Sequence, residues 1–282
     1  MKILICGSSG DVGSDLIKIL SKKNYKIIAA SRSIKKFSNK NVKFMKIDFS
    51  KKILIDKDLD LIINCIATHE FSKKKSLEEY LDSNVLTLIN LLKFFKGKEV
   101  KILNLSTISI FDLKKYKILK ENCEFTLNNK LSITKLIGEK TLSIGNSKVI
   151  NLRLPGIITK SHKVDRPWIK NIINKIKKNK NVEVFNFNKK FNSIIDTNDI
   201  ARLIDHLLNK RFVSGTYNFS AENPIKLSKL IYFIKNKLNS SSKIKNLGSN
   251  KSNIIISNKL IKKNLGFKPS TVLQTLNRFL ND

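Results

Sequence analysis

Along the first half of the chain, short apolar runs alternate with stretches whose apolar residues recur three and four positions apart. The runs predict strands at Lys2–Cys6, Lys26–Ala30, Val42–Ile47, Leu61–Cys65, Lys101–Leu105 and Lys148–Leu152. The helix-period stretches predict helices at Val12–Lys22, Leu77–Phe95 and Ser132–Ser143. Such alternation of strand and helix predicts an α/β fold built on a doubly wound parallel sheet. After Pro155 the pattern changes. Helices expected at Trp168–Lys178, Asp199–Leu208, Leu227–Leu238, Asn258–Leu265 and Thr271–Leu280 enclose short strands at Val182–Phe185 and Thr216–Phe219. The expected division is a sheet domain over 1–155 and a smaller α/β lobe over 156–282, interleaved with the sheet's end. No internal repeat or long linker interrupts this order, and Ser240–Ser242 is the best loop candidate.

The first predicted strand runs straight into Gly7-x-x-Gly10-x-x-Gly13 and then into a helix carrying Leu16, Ile17 and Leu20. That order is what a dinucleotide pyrophosphate requires. One glycine makes the tight turn, another lets backbone N–H groups reach the phosphates, and a third lets helix pack on strand. A glycine triplet alone says little; its place between strand and helix gives it meaning.

Charge changes this picture less than its size suggests. The chain has 55 basic and 22 acidic residues, a formal charge of +33. A polyanion partner is the first implication. Lysine, however, supplies 49 of the 55 bases and scatters over predicted helix faces and loops, beside abundant asparagine and isoleucine. An AT-rich coding bias accounts for that pattern better than a nucleic-acid site, because no basic motif with interleaved aromatics is present. No specific nucleic-acid partner is therefore expected. Cys6, Cys65 and Cys123 lie far apart, without metal spacing or a disulfide framework, which points to a reducing, cytoplasmic setting. The N-terminus enters a strand at residue 2 without a leader pattern, and no apolar run is long enough to span a bilayer.

Further landmarks follow the glycine loop in order. They are Asn64-Cys-Ile-Ala67-Thr68, Asn84-Val-Leu-Thr87, Ser106-Thr-Ile-Ser-Ile-Phe-Asp112 and Thr134-Lys135-x-x-Gly138-Glu139. Leu152-Arg-Leu-Pro-Gly156, Ile194-Ile-Asp-Thr-Asn-Asp199 and Asn264-Leu-Gly-Phe-Lys-Pro269 complete the set. Together they resemble an extended short-chain dehydrogenase/reductase of the nucleotide-sugar epimerase, dehydratase and reductase type, over almost the whole chain. The Ser-Thr-x-x-x-Phe-Asp stretch and the length are similar to the dTDP-4-dehydrorhamnose reductase branch. The resemblance implies a Rossmann sheet, an NAD(P) cofactor, a nucleotide-sugar substrate and, as an assembly to test, a homodimer.

Carried over by position, the resemblance places the cofactor on Gly7, Ser9, Gly10, Asp11, Val12 and Gly13. After the second and third strands it adds Ser31, Arg32, Asp48 and Phe49, and further along Ala67, Thr68, Asn84, Lys135 and Pro155. Thr107 matches the hydroxyl residue that bonds the substrate's reacting oxygen. Lys135 matches the lysine that holds the nicotinamide ribose and lowers a tyrosine's pKa. That tyrosine belongs four residues before the lysine, one helical turn away, where this chain has Leu131. A phenol beside an ammonium can exchange a proton near neutral pH; leucine cannot, and threonine is far too weak an acid. A positioned acid–base group contributes about 10²–10⁴-fold in rate. Tyr116 or His69 are other sources of a proton, though nothing in the sequence places them there. Two readings follow, a weakly active enzyme and a non-catalytic cofactor sensor or partner subunit.

At the end of the second strand an acid would bind the ribose 2′-OH of NAD, whereas arginine accommodates the 2′-phosphate of NADP. Ser31 and Arg32 stand there without an acid, which favours NADP; an exposed strand-end charge is the plainer alternative. Asp48 resembles the adenine-contacting acid of the family and reads equally as a turn aspartate. His69, His162 and His206 show no ligand spacing, so no metal is expected. Trp168 and Arg166 are candidates for the substrate cleft, against a packing aromatic and a solvated charge. Asp196 and Asp199 read as helix caps.

Overall fold

A computed structural model describes residues 1–34, 39–56, 58–69, 75–146, 148–160, 168–249 and 254–281. The first half runs β1 (Lys2–Cys6), α1 (Asp11–Leu20), β2 (Lys26–Ser31), β3 (Val42–Lys46) and β4 (Leu61–Asn64). Then come α2 (Leu77–Leu81), one π-helical turn at Asp82–Leu86, α3 (Thr87–Phe94) and β5 (Lys101–Thr107). The short β6 (Ile118–Leu119), α4 (Lys130–Gly145) and β7 (Val149–Leu154) close this half. The second half opens with β8 (Gly156–Ile158), α5 (Trp168–Lys177), β9 (Val182–Val184), β10 (Lys190–Phe191), β11 (Ile194–Asp196) and α6 (Thr197–Asn209). It ends with β12 (Gly215–Asn218), β13 (Ile225–Lys226), α7 (Leu227–Lys237), β14 (Ile244–Asn246), β15 (Ile255–Ile256), α8 (Lys259–Leu265) and α9 (Val272–Asn281).

Seven parallel strands form the main sheet in the order β12-β7-β5-β4-β1-β2-β3. Its strands are apolar on both faces because helices cover both. On one face Ile3, Ile5, Leu61 and Leu103 pack with Leu16 and Leu20 of α1 and Ile200 and Leu203 of α6. On the other, Leu4, Ile62 and Ile102 meet Leu88 and Leu91 of α3 and Leu142 of α4. A separate core joins α5, α7 and α9 through Ile169, Ile173, Leu230, Ile234 and Leu276. β12 leaves that lobe to pair with β7, so the second half supplies the sheet's last strand.

One predicted helix is interrupted. Leu77–Phe95 contains the π turn, which sets the buried Asn84 amide between Thr68 and Thr134. Gly138 on α4 lies against this turn, and a Cβ there would stand 2.5 Å from the Asn84 carbonyl oxygen. A 3.6-residue period cannot register one inserted residue. The order of strands reverses between β1 and β4, and a crevice opens beyond their carboxyl ends, where such sheets bind ligands.

Candidate functional site

The three glycines serve three different needs. Gly7 takes φ +80° as the chain leaves β1, and its N–H and that of Ser8 both donate to the Ala30 carbonyl, at 2.9 and 3.1 Å. At Gly13 a Cβ would lie 2.3 Å from the Gly7 carbonyl oxygen, so this is the glycine that lets α1 pack on the turn. At Gly10 a Cβ would meet only that same oxygen, at 3.3 Å. Gly10 faces the crevice and caps α1, whose N-terminal N–H groups and dipole favour an anion.

A cavity of about 300 Å³ fills the crevice. Gly7, Ser9 and Gly10 line it from the first turn, and Ser31, Arg32 and Ser33 from the end of β2. Asp48 and Phe49 border it after β3, and Ala67 and Thr68 after β4. A hydroxyl chain ties the first two loops together. Ser8 Oγ donates to Ser31 Oγ (2.9 Å), Ser31 Oγ to the Ser33 carbonyl (2.5 Å), and Ser33 Oγ to Ser9 Oγ (3.1 Å). Arg32 is exposed at its rim. Asp48 accepts from the Ser50 N–H at 3.1 Å and its hydroxyl at 2.7 Å, and these bonds hold its carboxyl below the usual range. The turn reading of Asp48 and its place in the cavity thus coexist. Asp11, Val12 and Gly13 form the first turn of α1 behind the lining residues. Asn84 lies behind too, 2% exposed, with its Oδ1 accepting the Thr68 N–H at 3.1 Å.

The other end, carried on β5, α4 and β7, stands outside the lining of this cavity. Lys135 is buried on α4 and its Nζ donates to the Leu105 carbonyl at 2.9 Å. Burial draws its pKa down to about 8, although Glu139 pulls the other way. Leu131 lies one helical turn earlier and is 7% exposed. Thr107 ends β5; its hydroxyl donates to Ser109 Oγ and accepts the Ser109 N–H, both at 3.1 Å. Pro155 follows β7 directly. Cys65, electrostatically coupled to Lys135, has its thiol pushed up to about 12 by burial, which makes it a poor nucleophile. The Tyr116 hydroxyl accepts the Glu124 N–H at 3.1 Å and its ring packs with Phe111 and Leu119. His69 sits exposed after β4.

Beneath this end lies a buried polar network that sequence reasoning noticed only as landmarks. Glu139 holds Arg153 through Nε at 3.1 and 3.2 Å and through Nη2 at 2.7 Å, and accepts Ser106 Oγ at 2.5 Å. The Arg153 guanidinium also lies over Phe111 and Phe125, 5.0 and 5.1 Å from the ring centroids. Three asparagines in register cross the sheet to reach it: Asn64 donates to Asn104, and Asn104 to Asn151, each at 2.9 Å. The signal available was the scarcity of arginine, which makes Arg153 on a fully buried strand conspicuous.

A second cavity, about 530 Å³, opens between α6 and α9 beside Arg202, Lys268 and Arg278. Its arginines are spent on carboxylates. Arg278 donates to both Asp196 oxygens at 2.8 and 3.1 Å, and Arg202 to Asp199 at 2.5 Å. Asp196 also caps α6 by accepting the Asp199 N–H at 2.9 Å, as expected, whereas Asp199 does not cap this helix: it lies inside the first turn and accepts the Ser270 N–H at 2.9 Å. Trp168 is 44% exposed and packs edge-on against Phe191. His162, Asp165, Arg166 and Pro167 lie outside the described residues. Among the described residues no cluster of histidine, cysteine or carboxylate suits a metal, and no helix is long and apolar enough to cross a membrane.

The glycine cradle fits a dinucleotide, because the space a Cβ would take at Gly7 and Gly13 is filled by backbone while Gly10 stays open to the cavity. Comparison with solved structures agrees with this architecture. The fold is similar to a UDP-glucuronic acid 4-epimerase from Bacillus cereus in complex with NAD (17% identity, 98% of this chain and 95% of that one, TM-score 0.78). It is similar to a UDP-N-acetylglucosamine 4-epimerase from the same organism (16%, 100% and 98%, TM-score 0.79). It is also similar to a dTDP-4-dehydrorhamnose reductase from Clostridium acetobutylicum (18%, 100% and 99%, TM-score 0.79). No curated protein matches the sequence. Residues 3–219 match the model of the NAD dependent epimerase/dehydratase family, and with the glycine loop, switch-point crevice and buried lysine in place the chain belongs to that family.

Proposed function

We propose that this protein binds NADP(H) and works on a nucleotide-activated sugar as a reductase, epimerase or dehydratase whose proton-transfer step is impaired. The observation that carries the reading is a single crevice in which the glycine cradle, Arg32 and two serine hydroxyls converge, while the helix of Lys135 carries Leu131 one turn away. A nicotinamide cofactor, when bound, supplies or accepts the hydride. The α1 N-terminus and the backbone at Gly7 and Gly10 receive its pyrophosphate. Arg32, Ser9 and Ser33 take the 2′-phosphate, and no carboxylate at the end of β2 competes for a 2′-OH. Several similar structures hold NAD, so the NADP choice rests on these residues alone. The unshared oxygen of Asp48 is available to the adenine amine.

At the reacting end Lys135 holds the ribose and Thr107 orients the sugar oxygen. Leu131 stands where the family's tyrosine belongs and has no proton to give or take. A second reading, a non-catalytic NADP(H) sensor or partner subunit, is favoured by this leucine and by the engagement of Tyr116 elsewhere. The proposed assembly is a homodimer through the face of α4 that leaves Ile137 and Ile144 41% and 87% exposed. Calorimetric titration with NADPH and NADH, followed by turnover assays with UDP- and dTDP-sugars, tests both readings. Tighter NADPH binding with slow turnover supports the first, and binding without turnover the second. Failure to bind either cofactor overturns both.

A further inference from the structure

Positive charge is concentrated in one part of the surface. The segments 168–190 and 225–249, which hold α5, β9, α7 and β14, contain thirteen lysines and a single acid, Glu183. At the ratio of the whole chain about five acids would accompany them. Lysine-rich coding explains abundant lysine; it does not explain missing carboxylates. Glu183 itself is paired with Lys245.

The fold gathers these charges at one tip. α5 and α7 both end in left-handed asparagines, Asn179 and Asn239, with φ of 53° and 47°. Ser240 Oγ donates to the Ile176 carbonyl at 2.6 Å, and Asn179 Oδ1 accepts from the Ser241 N–H at 2.9 Å. The Val182 N–H donates to the Lys243 carbonyl at 2.9 Å. Two helix C-termini are thereby locked side by side, bringing Lys175, Lys177, Lys178 and Lys180 next to Lys235 and Lys237. All but the half-buried Lys235 are exposed. The negative ends of two helix dipoles account for a cation or two each, in the last turn. Four of the six lysines stand in those last turns, Lys178 and Lys180 lie beyond them, and the group as a whole repels itself unless an anionic surface faces it.

We propose that this lysine tip docks the protein, reversibly and by charge, on an anionic lipid bilayer surface. Clusters of this size on helices match the negative potential of anionic lipid headgroups, which falls off within a Debye length. Features of a nucleic-acid site are missing. Among the described residues the exposed aromatics of these segments, Trp168, Phe185 and Tyr232, stand outside the six-lysine tip, Trp168 at the opposite end of α5 and Tyr232 edge-on against Phe187. The apolar faces of both helices are spent in the lobe core, so neither can leave to enter a groove. The tip residues line neither cavity described above, which keeps the docking surface separate from the cofactor crevice.

Co-sedimentation of the full chain with vesicles of about 30% phosphatidylserine in phosphatidylcholine, at about 150 mM salt, tests the proposal. The tip variant is Lys178→Glu/Lys180→Glu/Lys235→Glu/Lys237→Glu. A control with equal charge change is Lys22→Glu/Lys96→Glu/Lys98→Glu/Lys114→Glu, on exposed positions of the sheet domain. We expect wild type to bind these vesicles and not pure phosphatidylcholine. The tip variant should lose at least tenfold in affinity and the control less than twofold, with thermal melting unchanged in both. The single substitutions Lys178→Gln and Lys237→Gln, each weakening binding about twofold, keep the test open if the quadruple variant melts early. Equal loss in tip and control would show diffuse charge and overturn the proposal. So would absence of vesicle binding, or tighter tip-dependent binding to a 20-nucleotide RNA than to the vesicles.

Discussion

The glycine end of the crevice is made almost entirely by residues 6–13 closing against the end of β2, whereas Thr107, Leu131, Lys135 and Arg153, the end proposed to react, stand on three separate elements outside the cavity lining. The first is held by local backbone constraints: a positive φ at Gly7 and a 2.3 Å approach that only glycine permits at position 13. The second is held by buried polar partners far apart in sequence, Lys135 to Leu105, Glu139 to Arg153, Asn64 to Asn104. A local constraint tolerates no substitution but is complete in itself. A distributed one can lose a reacting group and keep its frame, and the proposed function gives Leu131 beside Lys135 that form.

The largest expected effects separate packing from binding within the cradle. Gly13→Ala drives a Cβ into the Gly7 carbonyl and should cost about 3 kcal/mol, the upper end for overpacking, read as a lowered urea midpoint. Gly10→Val should keep its fold at a small cost, since position 10 has φ −73° and its added Cβ meets only the Gly7 carbonyl oxygen at 3.3 Å, yet lose NADPH affinity at least 100-fold. If Gly10→Val melts like wild type and still binds, the pyrophosphate does not sit there. At the reacting end Leu131→Tyr is expected to raise turnover of a suitable nucleotide sugar by about 10²-fold, the lower bound for a positioned acid–base group. Fast wild-type turnover unchanged by that substitution would mean another residue moves the proton.

This contrast also explains what the sequence makes legible. All seven main-sheet strands are foretold to within two residues because apolar runs and turns are local signals, as with Val42–Ile47 against the observed Val42–Lys46 and Thr216–Phe219 against Gly215–Asn218. The family membership is foretold because its motifs occur in order. What stays hidden depends on contacts between distant elements. Asn84 looks like a ligand-facing helix residue until the π turn aims it at Thr68. Asp196 looks like a cap alone, and it is one, but Arg278 from 82 positions away also binds it. Val182–Phe185 is foretold against the observed Val182–Val184, whereas the two-residue strands β10 and β13 are too short to show a period.

A test of how dry the reacting end is comes from pH. Lys135 has an ordinary value of 10.5 in the unfolded chain and about 8 when folded, its charged form being disfavoured by burial. Between those values the unfolded chain holds the extra proton, so folding stability gains as pH rises through that window. The gain vanishes below pH 8. Relative to Lys135→Met, wild type should become more stable from pH 8 to 10 by up to about 3 kcal/mol, seen as a widening difference in Tm. A flat difference would show that water reaches the ammonium, and the frame at this end would be looser than its hydrogen bonds indicate.

The smallest effect asked of the comparison is at Arg32. It is exposed, so its contribution to a phosphate is a charge-assisted hydrogen bond weakened by solvent, at the low end of about 1.5–3 kcal/mol. Ser9 and Ser33, joined at 3.1 Å, remain as donors when the guanidinium is removed. Arg32→Ala should therefore lower the NADPH-over-NADH preference about tenfold without abolishing binding, and Ser33→Ala about twofold. NADH affinity should change little, because Arg32 meets the rest of the site at the exposed rim, through its charge on Asp48. A wild-type preference for NADH, or an Arg32→Ala variant that loses both cofactors equally, would show that this residue supports the loop and does not read the 2′-phosphate. The cradle would then share the distributed construction of the other end.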